Sequence, residues 1–142
     1  MRQPFDARGT GVKQILKDHG ISVISMEIEW NIVSYEYYAQ VVEKYLDLFD
    51  DVDGIYVGDL PAVACMAVAE KRGIRVPEEL KIIGYDGLDI GKFVTPPLTT
   101  VKQDIPRMAK CCVDTIMRLL DGDTDIEMKQ ICDVEFIKGG TM

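Results

Sequence analysis

Apolar residues recur along this chain with two different spacings, and the two spacings alternate. Some stretches repeat apolar residues every three or four positions, as one face of a helix requires, whereas others are short runs of β-branched residues, which are typical of strands. This alternation predicts an α/β fold with a doubly wound, parallel sheet. The predicted helices cover residues 9–19, 35–49, 62–72 and 105–120, and the predicted strands cover residues 21–28, 54–57, 82–86 and 98–101, with a last short strand within 133–141.

Small polar residues and glycines mark the ends of the predicted helices. Ser34 precedes the second helix and is suited to cap its N-terminus, and Gly73 follows the third helix as a stop. Asp59 lies two residues before Pro61, near the start of the third helix. An N-cap role is the first interpretation for its side chain, with a ligand contact as the alternative.

Residues 81–104 combine a strand end that can face a ligand with a stiff crossing. An apolar run ends in Asp86–Gly87, and ligands of open α/β sheets bind outside the carboxyl ends of the strands. Asp86 is therefore a candidate ligand contact, because a carboxylate can accept hydrogen bonds from neighbouring sugar hydroxyls. The alternative is an Asx turn into Gly87. The following Thr95–Pro96–Pro97 predicts a stiff, extended connection, since proline fixes φ and restricts the residue before it.

The helix predicted over residues 62–72 has no polar face. Its central sequence, AVACMAVA, is apolar all round, and such a helix is buried on more than one side. Because one side covers the sheet, we expect the other side to meet a partner subunit. This predicts a homodimer through residues 62–72.

Length and charge limit the partners of this chain. The 142 residues are enough for one compact domain. The formal net charge is −8 and basic residues form no run, so we expect no direct contact with nucleic acid, whose binding requires neutralised phosphates. No apolar run approaches the ~18–20 residues of a membrane span, and the first residues lack the apolar core of a signal peptide. We therefore expect no membrane contact and a cytoplasmic location.

Residue types that serve catalysis or bind metals are sparse. The four cysteines, at positions 65, 111, 112 and 132, form no Cys-x-x-Cys pair, and there is a single histidine. Reduced thiols explain these cysteines better than a disulfide or a metal site. The acidic cluster at 121–125 lacks the spacing of a calcium loop, which favours a solvated turn. Without a phosphate-binding loop, nucleophile elbow or dinucleotide fingerprint, we expect no enzyme activity, no cofactor and no metal.

Three short motifs follow one another through the second half of the chain. They are Gly84–Tyr85–Asp86, then Pro96–Pro97–Leu98–Thr99–Thr100–Val101 with Gln103, and finally Lys138–Gly139–Gly140–Thr141. In this order they resemble the lac repressor/gal repressor family of bacterial transcription regulators. The resemblance covers nearly all of the chain and implies the effector-binding domain of such a regulator, which has the type I periplasmic-binding-protein-like fold.

The resemblance implies a domain of two lobes, of which this chain covers the second lobe and the final crossing. Residues 1–98 correspond to the C-terminal lobe without its first strand, and residues 99–122 to a crossover strand and helix that belong to the N-terminal lobe. Residues 123–142 correspond to a terminal strand segment, and the DNA-binding headpiece is absent from these residues. The predicted elements begin with a helix, whereas a series of this type normally begins with a strand. We therefore expect an incomplete ligand-binding domain.

The resemblance implies three ligand-binding residues, namely Asp86, Trp30 and Arg8. Asp86 takes the position of the family's effector-reading aspartate. Trp30 lies in a loop where a flat ring can stack on a sugar, with packing under its own loop as the alternative. Arg8 precedes the first helix and can bind hydroxyls or a phosphate, with a solvated side chain as the alternative. The family usually has Asn–Asp where this chain has Gly58–Asp59, which removes one polar contact.

These features together predict a sensing domain. We expect a small-molecule effector, a sugar or a related metabolite, to bind between two lobes and to control DNA binding through lobe closure in a dimer. The helix over residues 62–72 is similar to one at the family's homodimer interface. The alternative is a sugar-binding protein of a transport system with the same lobed fold. The unpaired cysteines and the proline-containing motif favour the regulator.

Overall fold

The structure, a computed structural model, describes residues 7–26, 28–29, 32–127 and 129–142. The chain divides into two compact units, Met1–Val33 and Ser34–Met142. The described part of the first unit contains helix α1 (Ala7–Asp18), after which Gly20 adopts a left-handed φ of 71°. The helix predicted over residues 9–19 is therefore confirmed.

The strand predicted over residues 21–28 is wrong for the described part of that stretch. Residues 21–26 adopt no regular secondary structure, and Ile21 is 53% exposed. β-Branched residues favour extended backbone, but a strand forms only when its N–H and C=O groups pair with a neighbouring strand. Composition alone therefore does not make this segment a strand.

The second unit is built on a four-stranded sheet with the order β1-β2-β3-β4. Strands β1, β2 and β3 run parallel to one another, as the alternation of elements predicts. The prediction of an α/β fold with a parallel sheet is confirmed for these strands. The four strands are β1 (Gly54–Tyr56), β2 (Lys81–Asp86), β3 (Thr99–Gln103) and β4 (Val134–Ile137).

Strand β4 departs from the predicted parallel sheet, because it pairs antiparallel to β3. The cause lies in the segment between helix α4 (Ile105–Leu120) and β4. Gln130 Nε2 lies 3.4 Å from Thr115 Oγ1, and Asp133 Oδ2 lies 3.4 Å from Arg107 Nη1 in the first turn of α4. The segment thus runs back along the helix and reaches the end of the sheet where β3 finishes. From there the last strand can only run in the opposite direction.

Ser34 caps helix α2 (Tyr35–Lys44), as predicted, because its Oγ accepts a hydrogen bond from a backbone N–H of the first turn at 3.3 Å. The prediction that this helix continues to residue 49 is wrong. Tyr45 leaves the helical region with φ −105° and ψ 15°, and a 3₁₀ helix covers Leu46–Asp51. Phe49 lies in this more tightly wound segment and belongs to the core, where it is 5% exposed.

Helix α3 (Asp59–Arg72) lies at the centre of the second unit. It packs against both β2 and α2, and Gly73 ends it with a left-handed φ of 72°. Two neighbours within the same chain explain why the helix is apolar all round. A homodimer through residues 62–72 is therefore not needed to cover this helix, and it stays a prediction.

The crossing from β2 to β3 is bent in its first half, which corrects the prediction of an extended connection. A 3₁₀ helix covers Asp89–Lys92, and the Leu98 N–H donates to the Gly91 carbonyl at 2.8 Å. This hydrogen bond folds the loop back before β3 begins. The bend continues through Pro96, which follows a cis peptide bond.

Helix α4 has the predicted bounds, and none of its residues is buried. Asp104 caps it by accepting a hydrogen bond from the Arg107 N–H at 3.0 Å. The described residues leave the apolar face of this helix uncovered. Its exposed apolar side chains are Ile105, Met108, Val113, Ile116, Met117, Leu119 and Leu120.

Thr141, next to the C-terminus, joins β2 to the start of β3. Its side chain is fully buried, and its Oγ1 donates to the Ile82 carbonyl at 2.6 Å and accepts from the Thr99 N–H at 2.9 Å. Its own carbonyl accepts from the Ile82 N–H at 2.8 Å. One residue of the C-terminal motif thus holds two strands together.

Cys65 lies within α3 with no exposed surface, and burial raises the pKa of its thiol to about 12. In the unfolded chain a thiol ionises near pH ~8.5. Between these two values the unfolded state loses a proton that the folded state keeps. The contribution of this thiol to stability is therefore full below pH ~8.5 and is lost as the pH rises through the folded pKa.

We expect the free energy of unfolding of the wild type, minus that of Cys65→Ala, to fall by about 1.4 kcal/mol per pH unit above pH ~8.5. Denaturant unfolding of both proteins at a series of pH values measures this difference. Tyrosines and lysines titrate in both proteins and cancel in the subtraction. A difference that stays constant up to pH ~11 would show that the thiol ionises as readily in the folded protein as in the unfolded one.

Candidate functional site

Asp86 is the last residue of β2 and lies at the carboxyl end of the parallel strands. Its Oδ1 accepts a hydrogen bond from Nε2 of Gln103, the last residue of β3, at 2.7 Å. The amide thus fixes the carboxylate at the edge where open α/β sheets bind their ligands. The structure places Asp86 where the sequence predicts it, and the ligand contact itself stays a prediction.

The backbone at this strand end is unusual. Asp86 has a φ of 124°, which few residues with a side chain adopt, and Gly87 follows with a φ of 75°. A Cβ on Gly87 would overlap the side chain of Lys102, so only glycine fits against β3 at this point. Two successive positive φ values turn the chain sharply at this strand end, where the Asp86 carboxylate accepts the hydrogen bond from Gln103. Backbone strain of this kind is frequent at ligand sites.

Other groups lie close to the Asp86 carboxylate. A Cβ placed on Gly58 would lie 3.5 Å from Asp86 Oδ2, so the exit of β1 passes beside the carboxylate without a side chain between them. Burial raises the pKa of the Tyr38 phenol in α2, and electrostatic interactions with Tyr37 and with the Asp86 carboxylate raise it further. Carboxylate, amide and phenol groups of this type suit a hydroxyl-rich small molecule.

Asp59 is not the helix N-cap that the sequence predicts. Gly58 takes that position, and Asp59 is the first residue of α3, with no exposed surface. Its Oδ2 accepts from the Leu88 N–H and its Oδ1 accepts from Thr100 Oγ1, both at 2.5 Å. These partners lie 29 and 41 residues away, so local patterns do not reveal them. The nearest signal in the sequence is Gly84, where a Cβ would overlap Asp59 Oδ1.

Arg8 and Trp30 stay predictions as ligand contacts. Arg8 is exposed in the first turn of α1, which belongs to the first unit, whereas Asp86 belongs to the second. Trp30 lies outside the described residues. Of the three predicted site residues, only Asp86 lies in the second unit, where its neighbours are described.

The described residues offer no metal site and no membrane span. No three His, Cys, Asp or Glu side chains among them lie together as metal ligands, and none of their helices is long and apolar enough to cross a bilayer. The acidic turn at 121–125 is braced by protein donors. Asp123 accepts from the Asp125 N–H at 2.9 Å and from Arg118 Nη2 at 2.6 Å, and these bonds hold the pKa of Asp123 below its usual range.

Comparison with known proteins adds a family to this geometry. The family model described as a periplasmic binding protein-like domain matches residues 2–142. The chain is 29% identical over 108 residues to the HTH-type transcriptional repressor PurR of Photobacterium profundum, which covers 75% of this chain and 32% of that protein. It is 27% identical over 132 residues to the HTH-type transcriptional repressor CytR of Escherichia coli, which covers 92% of this chain and 39% of that protein.

A solved structure of the lac repressor dimer, bound to operator and the anti-inducer ONPF, is similar with a TM-score of 0.82 and 26% identity. The match covers 94% of this chain and 46% of that chain. The chain thus spans less than half the length of each of these relatives. The resemblance to the lac repressor/gal repressor family is confirmed. Since the family model matches nearly every residue, the chain belongs to the periplasmic binding protein-like domain family, in the form that lac repressor-type regulators carry.

Proposed function

We propose that this chain is part of the effector-binding domain of a transcriptional repressor, mainly its C-terminal lobe, and that Asp86 binds a sugar or a related small metabolite. The observation that carries the proposal is the Asp86 carboxylate, which Gln103 holds in a positive-φ backbone at the carboxyl end of the parallel strands. A carboxylate held in this way can accept hydrogen bonds from adjacent hydroxyls. Such charge-assisted bonds are roughly twice as strong as neutral ones.

Two observations support a second lobe in the working protein. The chain spans 32% of the PurR relative and 46% of the lac repressor chain, and the described residues leave the apolar face of α4 uncovered. In this proposal residues 1–98 form the C-terminal lobe, residues 99–122 contribute to the N-terminal lobe, and residues 123–142 return as a terminal strand segment. Strand β3 pairs with β2 and β4, so α4 is the part that packs on the other lobe.

The effector acts in this proposal by favouring one arrangement of the two lobes. It binds that arrangement more tightly, and the difference in affinity shifts the position of the DNA-binding headpieces in a dimer. The net charge of −8 leaves contact with DNA to a headpiece outside these residues. The lac repressor relative is a dimer on its operator, which favours this function over a sugar-binding protein of a transport system. Operators lie in the cytoplasm, which gives the location, and residues 62–72 remain the proposed dimer contact.

Isothermal titration calorimetry of the two-lobed protein, with a panel of aldoses, disaccharides, sugar phosphates and nucleosides, tests this function. We expect one compound to bind saturably and Asp86→Ala to weaken that binding by about 100-fold, because the loss of two charge-assisted hydrogen bonds costs about 3 kcal/mol. The 142-residue chain alone is expected to bind the same compound weakly or not at all.

Asp89→Ala is the matched control, because it removes an exposed carboxylate only three residues after Asp86. That carboxylate accepts a hydrogen bond from the Lys92 side chain at 2.6 Å. We expect its affinity to stay within about twofold of the wild type, since exposed ion pairs contribute little. A two-lobed protein that binds none of the compounds, or that binds equally well without the Asp86 carboxylate, contradicts the proposed function. Trp30→Phe and Arg8→Ala, titrated with the same compound, test the other two predicted contacts.

A further inference from the structure

The buried carboxylate of Asp59 connects three segments beneath the Asp86 strand end. It starts α3, it accepts a hydrogen bond from the Leu88 N–H in the loop after β2, and it accepts another from Thr100 Oγ1 in β3. Both bonds measure 2.5 Å, and the side chain has no exposed surface. A single carboxylate therefore ties the helix, the loop and the third strand together.

The surroundings of Asp59 suit a charged, acceptor-only group. A backbone N–H and a hydroxyl both donate to it, and an ionised carboxylate accepts hydrogen bonds at both oxygens without donating any. Its place in the first turn of α3 puts the negative charge at the positive end of the helix dipole. Within the described residues no buried side-chain oxygen or nitrogen lacks a partner, so both oxygens of this carboxylate are satisfied.

Asp59 contacts the chain both before and after Asp86 in the sequence. Gly84, two residues before Asp86, packs so closely on Asp59 Oδ1 that a Cβ there would overlap it, and Gly84 aligns with Thr100 in the β2–β3 register. Leu88, two residues after Asp86, bonds Asp59 Oδ2. The segment of five residues that carries the strained Asp86 is thus held at both ends by one side chain.

We propose that Asp59 is a positioning residue that holds Asp86 in the orientation in which it binds the effector. Asp59 lies beneath the strand end and acts only through the segment that it holds. The inference deepens the proposed function and rests on it for the effector, while the orientation of Asp86 can be measured without any effector.

Nuclear magnetic resonance of the 142-residue chain measures that orientation directly. Hydrogen exchange of the Leu88 amide reports the bond to Asp59, and the side-chain amide signals of Gln103 report the bond to Asp86 Oδ1. We expect Asp59→Ala to speed exchange of the Leu88 amide by about tenfold or more. We also expect it to move the Gln103 side-chain signals toward those of a solvated glutamine.

Asp59→Asn is the conservative variant, and it decides the question if Asp59→Ala does not fold. Its amide can still accept from Leu88 and donate to Thr100, so we expect both signals to lie between those of the wild type and Asp59→Ala. Asp89→Asn, the same change at an exposed carboxylate of the same loop, is expected to leave both signals in place. Two results would overturn the proposal. In one, the Leu88 amide exchanges faster but the Gln103 side-chain signals stay at their wild-type position. In the other, the exchange rate of the Leu88 amide does not change.

Titration of the two-lobed protein tests the consequence for binding, with D-glucose, D-ribose, cellobiose and adenosine as probes. For a probe that the wild type binds, we expect Asp59→Asn to weaken affinity by about tenfold, and to cause no further loss in the Asp86→Ala background. A loss that is the same in both backgrounds would make Asp59 purely structural. If no probe binds the wild type, the proposed function fails for these ligands, and the signals of Leu88 and Gln103 still decide whether Asp59 positions Asp86.

Discussion

Replacing Thr141 by valine is expected to destabilise the protein by about 2–6 kcal/mol, although the two side chains have nearly the same shape. The buried hydroxyl donates to the Ile82 carbonyl and accepts from the Thr99 N–H, and valine leaves both of these groups without a partner. Each unpaired buried group costs about 1–3 kcal/mol. Since small domains are stable by only about 5–15 kcal/mol, the variant is expected to lose a large part of its stability.

Thr141→Ser is the control for this prediction, because it keeps the hydroxyl and removes one buried methyl group. We expect it to lose only about 1 kcal/mol. Denaturant unfolding followed by circular dichroism measures both variants against the wild type. If serine destabilised the protein as much as valine, the methyl group and not the hydroxyl would be what holds the two strands.

The sequence predicted best those features that depend on neighbouring residues. The cap at Ser34, the stop at Gly73 and the bounds of α4 each follow from a few adjacent positions, and the structure confirms them. The strand that ends in Asp86 is local in the same sense, because an apolar run followed by Asp–Gly marks a strand end. The position of the candidate site was therefore predictable.

The features that were missed depend on residues far apart in the chain. Asp59 finds its partners in Leu88 and Thr100, which no local capping pattern indicates. The direction of β4 follows from contacts between α4 and the segment before that strand, and the end of α2 follows from the burial of Phe49. Local propensity has no information about such contacts, so these predictions failed.

The orientation of Asp86 lies between these two cases. The neighbouring residues predict that Asp86 ends β2, but they do not predict its φ of 124°. The angle occurs together with the close packing of Gly87 on Lys102 and with the hydrogen bond from Gln103 to Asp86. Both contacts exist only because β3 lies next to β2. The position of this candidate ligand contact thus follows from local sequence, whereas its orientation follows from contacts with β3.

Replacing Gly87 by alanine is expected to destabilise the protein by about 2–5 kcal/mol and to disturb Asp86 directly. Gly87 has a φ of 75°, where a side chain costs about 1–2 kcal/mol. An added Cβ would also overlap the side chain of Lys102 and lie 2.7 Å from its Cα, so β3 must move. Forcing an extra methyl group into a packed site of this kind adds about 1–3 kcal/mol.

Gly73→Ala separates these two contributions, because Gly73 has nearly the same φ, 72°, and nothing lies within 4 Å of an added Cβ. We expect it to lose only the backbone share, about 1–2 kcal/mol, and to bind effector like the wild type. The further loss in Gly87→Ala, measured by denaturant unfolding, is then the effect of the overlap with β3. Calorimetry of the same variant is expected to show weaker effector binding, because the displaced strand carries Gln103, which holds Asp86. Equal stability losses in the two variants would contradict the close packing of Gly87, and with it the physical reason for the orientation of Asp86.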